Sequence, residues 1–246
     1  MDNTLLVSLS HQIASQRTMD VIANNLANMN TSAYKREEMK FDEYVHQSRP
    51  SQWQKGPQSI DFVVNPGTIR DLSEGSIEQT GNTLDVAING NGYFAVQTAR
   101  GERYTRNGHF TLNAENQIVT EAGDPLLGDG GPLTIAQEDG NVTIGADGVV
   151  SGDQGQIGKL QVVRFNNERQ MRKEGDTYLS TTEVATPADG GYTLKQGMLE
   201  KANIEPVTQM TDMINVMRSY EAVSNLINAQ ESMKRNAVSK LASIPS

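Results

Sequence analysis

Apolar residues recur three and four apart at both ends of this chain, and that double helical pattern limits the fold more than any other feature. From about Thr4 to Asn28 the positions are Leu5, Leu6, Leu9, Ile13, Met19, Ile22 and Leu26, spaced to line one face of a helix. Asp2, Asn3 and Thr4 can each cap its start, and Asp2 also suits the positive pole of the helix dipole. From about Pro206 to Leu241, Met213, Val216, Tyr220, Val223 and Ile227 follow the same spacing, with Gln230 and Lys234 continuing the register in polar form. Met210, Ile214 and Met217 form an adjoining apolar row. The stripe is broader than a two-stranded seam needs, so this helix is expected to touch more than one neighbour. Lys234, Arg235 and Lys240 suit the negative pole of its dipole.

The first stripe runs into Asn24, Asn25 and Asn28 within the segment Met19–Lys35. Asparagine is a poor helix former, by roughly half a kcal/mol per residue, so its repetition here calls for a reason. Carboxamides beside an apolar seam can bond neighbouring backbone, or a partner chain, and so hold one register. An ordinary frayed helix end explains the same residues and stays open on this ground alone. After Asn28 the pattern breaks, and Tyr34-Lys35-Arg36-Glu37 opens a polar connector. A short helical or extended piece fits Phe41–Val45, and Pro50, Gly56, Pro57 and Pro66 make Gln47–Gly67 a loop or extended stretch.

From about Gly67 to Met198 the period becomes two. Leu84-Asp85-Val86-Ala87-Ile88 alternates, Asn89-Gly90-Asn91-Gly92 supplies a turn, and Tyr93-Phe94-Ala95-Val96 continues as a strand, which predicts a hairpin. Asn107-Gly108, Asp129-Gly130-Gly131 and Asp147-Gly148 repeat the device, with strands expected at Phe110–Leu112, Gln117–Thr120, Asn141–Ile144 and Leu160–Phe165. A Gly-punctuated run of short strands means an all-β domain.

Only 36% of the residues are apolar and 5% aromatic, so the 246-residue chain is expected to be thin, with several small cores. A net charge of −9 argues against a nucleic-acid surface. Cysteine is absent, which excludes disulfides, a thiolate nucleophile and Cys-ligated metal. No apolar run approaches the roughly 20 residues a bilayer span needs. The N-terminus fails as a cleavable secretory signal, because Asp2 has the wrong sign and Ser8, Ser10 and His11 interrupt the apolar run, so export would need another route. His11, His46 and His109 lie in separate segments without metal-ligand spacing, and His109 reads as an exposed loop residue. Gly152, Gly155 and Gly158 match neither a dinucleotide fingerprint nor a P-loop, and Asp147 and Asp153 lack the spacing of an EF-hand. No catalytic residue, cofactor or metal site is therefore assigned. A surface adhesin or carbohydrate-binding module would display an aromatic platform, whereas Trp53 falls in the connector and Tyr93, Phe94 and Tyr104 within strands.

Two long amphipathic helices flanking a β-domain cannot cover their apolar faces with each other alone, and packing against copies or relatives resolves this. The residues then resemble a known family. Val21–Lys35, VIANNLANMNTSAYK, resembles the N-terminal signature of the bacterial flagellar rod, hook and hook-associated proteins. Thr80–Val96 (TGNTLDVAINGNGYFAV) and Tyr104–Gly128 resemble that family's central β-domain, and Gln196–Ala222 is similar to its C-terminal signature. The opening residues and short length are most similar to the proximal-rod members, with distal-rod and hook proteins as the close alternatives. Ala33 stands where the signature commonly carries glycine, which puts the turn geometry in question, and Met217 where such tails often carry Gln.

The resemblance implies a segregated α and β molecule. Residues 1–30 and 199–246 would form the two halves of a coiled-coil-like axial core, 31–66 an extended or loop connector, and 67–198 an all-β outer domain. The assembly interface would comprise Leu5, Leu9, Ile13, Met19, Ile22, Asn24, Asn25, Leu26 and Asn28 on the first helix. On the second it would comprise Met210, Met213, Ile214, Met217, Tyr220, Val223 and Ile227. Implied partners are copies of the chain, other rod proteins, the surrounding ring proteins and the flagellar type III export apparatus, with the site of action in the periplasmic rod of the basal body.

Overall fold

The computed structural model describes residues 2–47, 59–175, 177–188 and 190–242. The chain divides into two compact units. The first holds α1 (Asp2–Ala27), β1 (Glu37–Gln47), β2 (Ser59–Arg70) and α2 (Pro206–Ala242). The second comprises residues Asn28–Arg36 and Leu72–Ile204. Helices at both ends and β-structure between them make the chain a segregated α and β protein.

In the first unit α1 and α2 pack on each other, and α1 also meets both strands of a β1–β2 antiparallel pair. Pro206 opens α2 at a position where its missing N–H costs nothing, and the Gln209 N–H bonds back to the Glu205 carbonyl at 3.0 Å. The stretch expected as an extended or loop connector thus contains a regular ladder, from Glu37 opposite Arg70 to Gln47 opposite Ser59, with a register shift between Lys40 and Asp42. Val63 and Val64, opposite Glu43 and Asp42, and Tyr44 and Val45, opposite Phe62 and Asp61, are β-formers that the proline and glycine content had masked. Trp53 and the expected loop through Pro50, Gly56 and Pro57 lie outside the described residues.

The second unit is built on β3 (Ile77–Gln79), β4 (Val86–Gly90), β5 (Tyr93–Thr98), β6 (Gly101–Thr105), β7 (Phe110–Leu112), β8 (Ile118–Thr120) and the later short strands. A six-stranded antiparallel sheet runs Arg172–Glu174, Tyr178–Ser180, β6, β5, Val162–Arg164, Thr186–Pro187. β5 is buried on both faces, which explains its unbroken apolar run. Phe94 and Val96 enter the larger core with Val86, Ile88, Phe110 and Leu160, while Tyr93 and Ala95 enter a smaller one with Tyr104, Phe165 and Met171. Phe94 and Phe110 meet edge to face at 5.2 Å.

The hairpin expected between β4 and β5 does not form. β4 pairs instead with Tyr192–Gln196, and β5 with β6 and Val162–Arg164, so Asn89–Gly92 is a corner between two sheets. Gly90 turns it at φ 103°. The buried Arg106 guanidinium then donates to the carbonyls of Gly90 at 3.1 Å, Gly92 at 3.3 Å and Ile88 at 3.4 Å, replacing the cross-strand bonds a hairpin would have made. Gly108 serves a close approach, since a Cβ there would collide with the Val86 carbonyl oxygen, and its own carbonyl accepts from the Val86 N–H at 3.0 Å.

His109 is tied down rather than a free loop residue. Its Nδ1 lies 2.7 Å from Oδ1 of buried Asp85, which also accepts from the Thr80 hydroxyl at 2.6 Å and the Asn82 amide at 3.1 Å. The TGNTLD stretch and the NGH turn are therefore two halves of one polar knot.

Candidate assembly surface on the terminal helices

The helix pair buries little for its length. On α1, Ala14, Ser15, Ile22 and Asn25 are buried; on α2, only Gln209 is, among the described residues. Ile22 is thus the one large apolar side chain of the expected set that the chain covers by itself. Leu5, Met19 and Leu26 are half-buried, as are Met213, Tyr220, Val223 and Ile227. Leu9 and Ile13 on α1, and Met210, Ile214 and Met217 on α2, stay 44–50% exposed. Leu6, Val7, Leu226, Met233 and Val238 join them in the open, although the expected set did not include them. Between the helices an apolar groove of about 430 Å³ is lined by His11, Ala14, Ser15 and Thr18 against Asn215, Val216 and Ser219. His11 sits at its edge, with Nδ1 3.4 Å from the Ser15 hydroxyl.

The three asparagines do different work. Asn25 is 1% exposed, and its amide donates to the Glu37 carbonyl at 2.8 Å and to Gln209 Oε1 at 3.1 Å. Its own oxygen accepts from the Glu37 N–H at 3.0 Å. The side chain therefore imitates a strand neighbour for β1 and fixes the register of α1 against α2. Asn28 accepts from the Thr31 hydroxyl at 3.1 Å and shapes the turn after the helix. Asn24 is exposed on the helix surface.

That turn leads to a charged cluster that periodicity could not reveal. Ala33 adopts φ 57°, the left-handed region that favours glycine, and its N–H bonds the Glu200 carbonyl at 2.8 Å. Lys35 follows, with Nζ 2.6 Å from Glu200 Oε1 and 2.7 Å from the Ser73 carbonyl. Arg106 reaches Glu200 Oε2 at 2.9 Å, and the Gly75 N–H donates to Oε1 at 2.9 Å. Burial alone would raise the Glu200 pKa; the Arg106 and Lys35 charges and their hydrogen bonds outweigh it and hold the carboxyl below the ordinary 4.5. For Lys35 burial is the larger influence, and with Arg106 nearby it lowers the ammonium pKa despite the Glu200 contact. Lys35, Arg106 and Glu200 come from the three blocks on which the resemblance rests, and the only sequence signal was their presence in those blocks.

A polar cavity of about 450 Å³ in the second unit, lined by Thr31, Asn107, His109, Thr120, Glu174 and Tyr178 among others, offers no reactive constellation. Its groups satisfy one another: His109 with Asp85, Glu174 with Arg103 at 2.9 Å, and the Tyr178 hydroxyl with Asp124 at 2.8 Å and Thr120 at 2.6 Å. Burial and Asp124 push the Tyr178 phenol up to about 12, so it stays protonated. Among the described residues, no group of three His, Asp or Glu is placed to hold a metal ion.

Comparison with known proteins matches the same three blocks. Residues 5–35 match the family "Flagella basal body rod protein", 87–152 the "Flagellar hook protein FlgE/F/G D1 domain", and 195–240 the "Flagellar basal body rod FlgEFG protein C-terminal". The flagellar basal-body rod protein FlgF of Caulobacter vibrioides is 39% identical over 246 residues, covering 99% of this chain and 100% of that protein. The chain belongs to the flagellar basal-body rod protein family. FlgF of Mesorhizobium japonicum is 30% identical with 99% of both chains covered, and the rod protein FlgG of Bacillus subtilis 33% identical over 91% of this chain and 93% of its own. The protein is a structural subunit of the flagellar basal body, and the exposed rows of α1 and α2 lie within two of the rod-family blocks. No helix among the described residues is long and apolar enough to cross a membrane.

Proposed function

We propose that this rod subunit occupies the proximal rod and that α1 and α2 form its axial core, packing side by side with the same helices of neighbouring subunits to transmit torque from motor to hook. The observation that carries this reading is the set of large apolar side chains left open on both helices, Leu9, Ile13, Met210, Ile214 and Met217 among them. Each is worth roughly 1.5–3 kcal/mol when fully covered, so a neighbour taking several supplies a large, non-slipping interface. The expected interface residues Leu5, Met19, Leu26, Met213, Tyr220, Val223 and Ile227, already half-covered, complete the seam, with Asn24 and Asn28 at its edge. Asn25 acts from inside the subunit by fixing helix register.

The reading assigns no catalysis and no cofactor, because torque transmission needs register and area rather than a reactive group. It places the 67–198 β-domain on the outside, towards neighbours and the surrounding ring proteins, in the periplasmic space. Export runs through the flagellar type III apparatus without a cleaved signal. Ile214→Asp tests the seam: Ile214 is 50% exposed in the single chain, so the variant is expected to keep the β-domain folded while losing incorporation into basal bodies. Leu26→Asp should behave in the same way. Normal incorporation of Ile214→Asp in a strain lacking the native copy would overturn the seam.

A further inference from the structure

The chain passes into or out of the second unit at four places, next to Asn28, Arg36, Leu72 and Ile204, and three of these ends lie together. The Ala33 N–H bonds the Glu200 carbonyl at 2.8 Å and the Asn203 N–H bonds the Tyr34 carbonyl at 3.3 Å, so 33–36 and 200–203 run side by side in the same direction. Met198–Glu200 pairs antiparallel with β3, and the Lys201 N–H continues that pairing to the Ser76 carbonyl at 2.8 Å. The stretch from Leu72 to Ser76 therefore enters the unit beside the place where the other two leave it.

One side chain joins all three ends. The Asn203 oxygen accepts from the Arg36 N–H at 2.7 Å, and its amide donates to the Ser73 carbonyl at 3.1 Å and to the Ser73 hydroxyl at 3.0 Å. Lys35 spans the same place, with Nζ donating to the Ser73 carbonyl at 2.7 Å and to Glu200 Oε1 at 2.6 Å. Glu200 carries the connection inward. Its second oxygen accepts from Arg106 at 2.9 Å, and the same guanidinium donates to the Ile88, Gly90 and Gly92 carbonyls at the corner between β4 and β5. The ends are thus bonded to one another and, through a buried ion pair, to the strands of the larger core. An end held alone can open locally, whereas ends tied into one network open only with the unit that holds them.

We propose that Asn203, with the Lys35–Glu200–Arg106 triad behind it, is a mechanical anchor: it binds three ends of the second unit into one load-bearing bundle, so that torque passing along the chain is shared by all three and delivered to the β-core. The inference rests on the rod-subunit reading and gives Asn203 a positioning role in torque transmission that needs no contact with another subunit.

Native-state amide exchange on the purified full-length chain tests the anchor. The informative amides are those of Ala33 and Lys201, which bond main-chain carbonyls rather than Asn203 itself. In the native chain they are expected to exchange within about tenfold of the slowest amides of β5, because the ends open only with the core. Asn203→Ala should speed both by about tenfold or more relative to β5, since the ends then fray by themselves. Ends that already exchange far faster than β5 in the native chain would overturn the anchor. So would an Asn203→Ala variant in which ends and β5 accelerate equally, the signature of a residue that only adds global stability. If Asn203→Ala fails to fold, Ser73→Ala, which removes one hydroxyl acceptor, carries the same comparison with an expected relative acceleration of about threefold. Under load, cells carrying Asn203→Ala as their one copy should build basal bodies in native number yet lose swimming speed more steeply as the medium is made viscous. Matching speed–viscosity curves would overturn the torque-bearing role. Exchange on the purified chain decides the anchor and incorporation of Ile214→Asp decides the rod reading, so either can fall alone.

Discussion

At the scale of single residues, the molecule concentrates strain and charge around one turn. Ala33 holds a left-handed backbone at φ 57°, which costs an L-residue with a Cβ about 1–2 kcal/mol. Ala33→Gly is therefore expected to stabilise the chain, by roughly 0.5–1 kcal/mol after the added freedom of the unfolded state is subtracted, and urea unfolding would read it. A loss of stability would mean that the Ala33 methyl packs more tightly than the backbone suffers. Glu200, with its side chain 1% exposed, is the opposite case, for it is the carboxylate on which Lys35 and Arg106 converge. Glu200→Gln would leave two buried cations without it and should cost about 3–5 kcal/mol. Because the folded pKa of Glu200 lies below 4.5, its contribution is complete above that pH and is lost as the pH falls through the folded value. The native chain should lose stability on acidification below about 4.5 more steeply than the Gln variant. The glycine preference of the family signature made the Ala33 strain legible in advance; the ion cluster was not, because Lys35 and Glu200 are 165 residues apart and join only through the fold.

Among the elements, α1 and α2 were legible because a 3,4 spacing of Leu, Ile and Met is a local signal that tertiary context seldom reverses. β5 and β7 were legible too, through alternation or an unbroken apolar run between turn residues. The β4–β5 hairpin was misread, since an Asn-Gly pair specifies a reversal of the chain but not the strand it returns to; Arg106 and the late strand Tyr192–Gln196 decide that. The β1–β2 ladder was hidden for the converse reason: prolines and glycines near it outweighed the β-formers in the sequence pattern. Asn25 links these elements, as one carboxamide bonds β1 and α2 from inside α1. Asn25→Ala strands the Glu37 backbone groups and the Gln209 amide and should cost about 1–3 kcal/mol, read as a lowered melting transition of the helical circular dichroism signal. The exposed Asn24→Ala should cost far less. Equal effects would mean that the register bond contributes little.

For the whole molecule, the contrast between the two units carries the functional account. The second unit has two apolar cores and strands paired across long sequence separations, so it is expected to stand on its own. The helix pair of the first unit is different, with Ile22 its one fully buried large apolar side chain among the described residues and rows of Leu, Ile and Met in the open. Helices with so little tertiary burial are marginal in water and gain their stability from neighbours. Composition hinted at this, as 36% apolar residues cannot cover both a β-domain and two long helices. The direct measurement is amide hydrogen exchange on the purified monomer and on the same chain in isolated basal bodies. The account predicts slow exchange in the β-domain core in both states, with residues 5–28 and 207–242 exchanging fast in the monomer and strongly protected in the assembly. Helices already as protected in a monodisperse monomer as in the basal body would contradict it, because they would then have a sufficient partner within the chain.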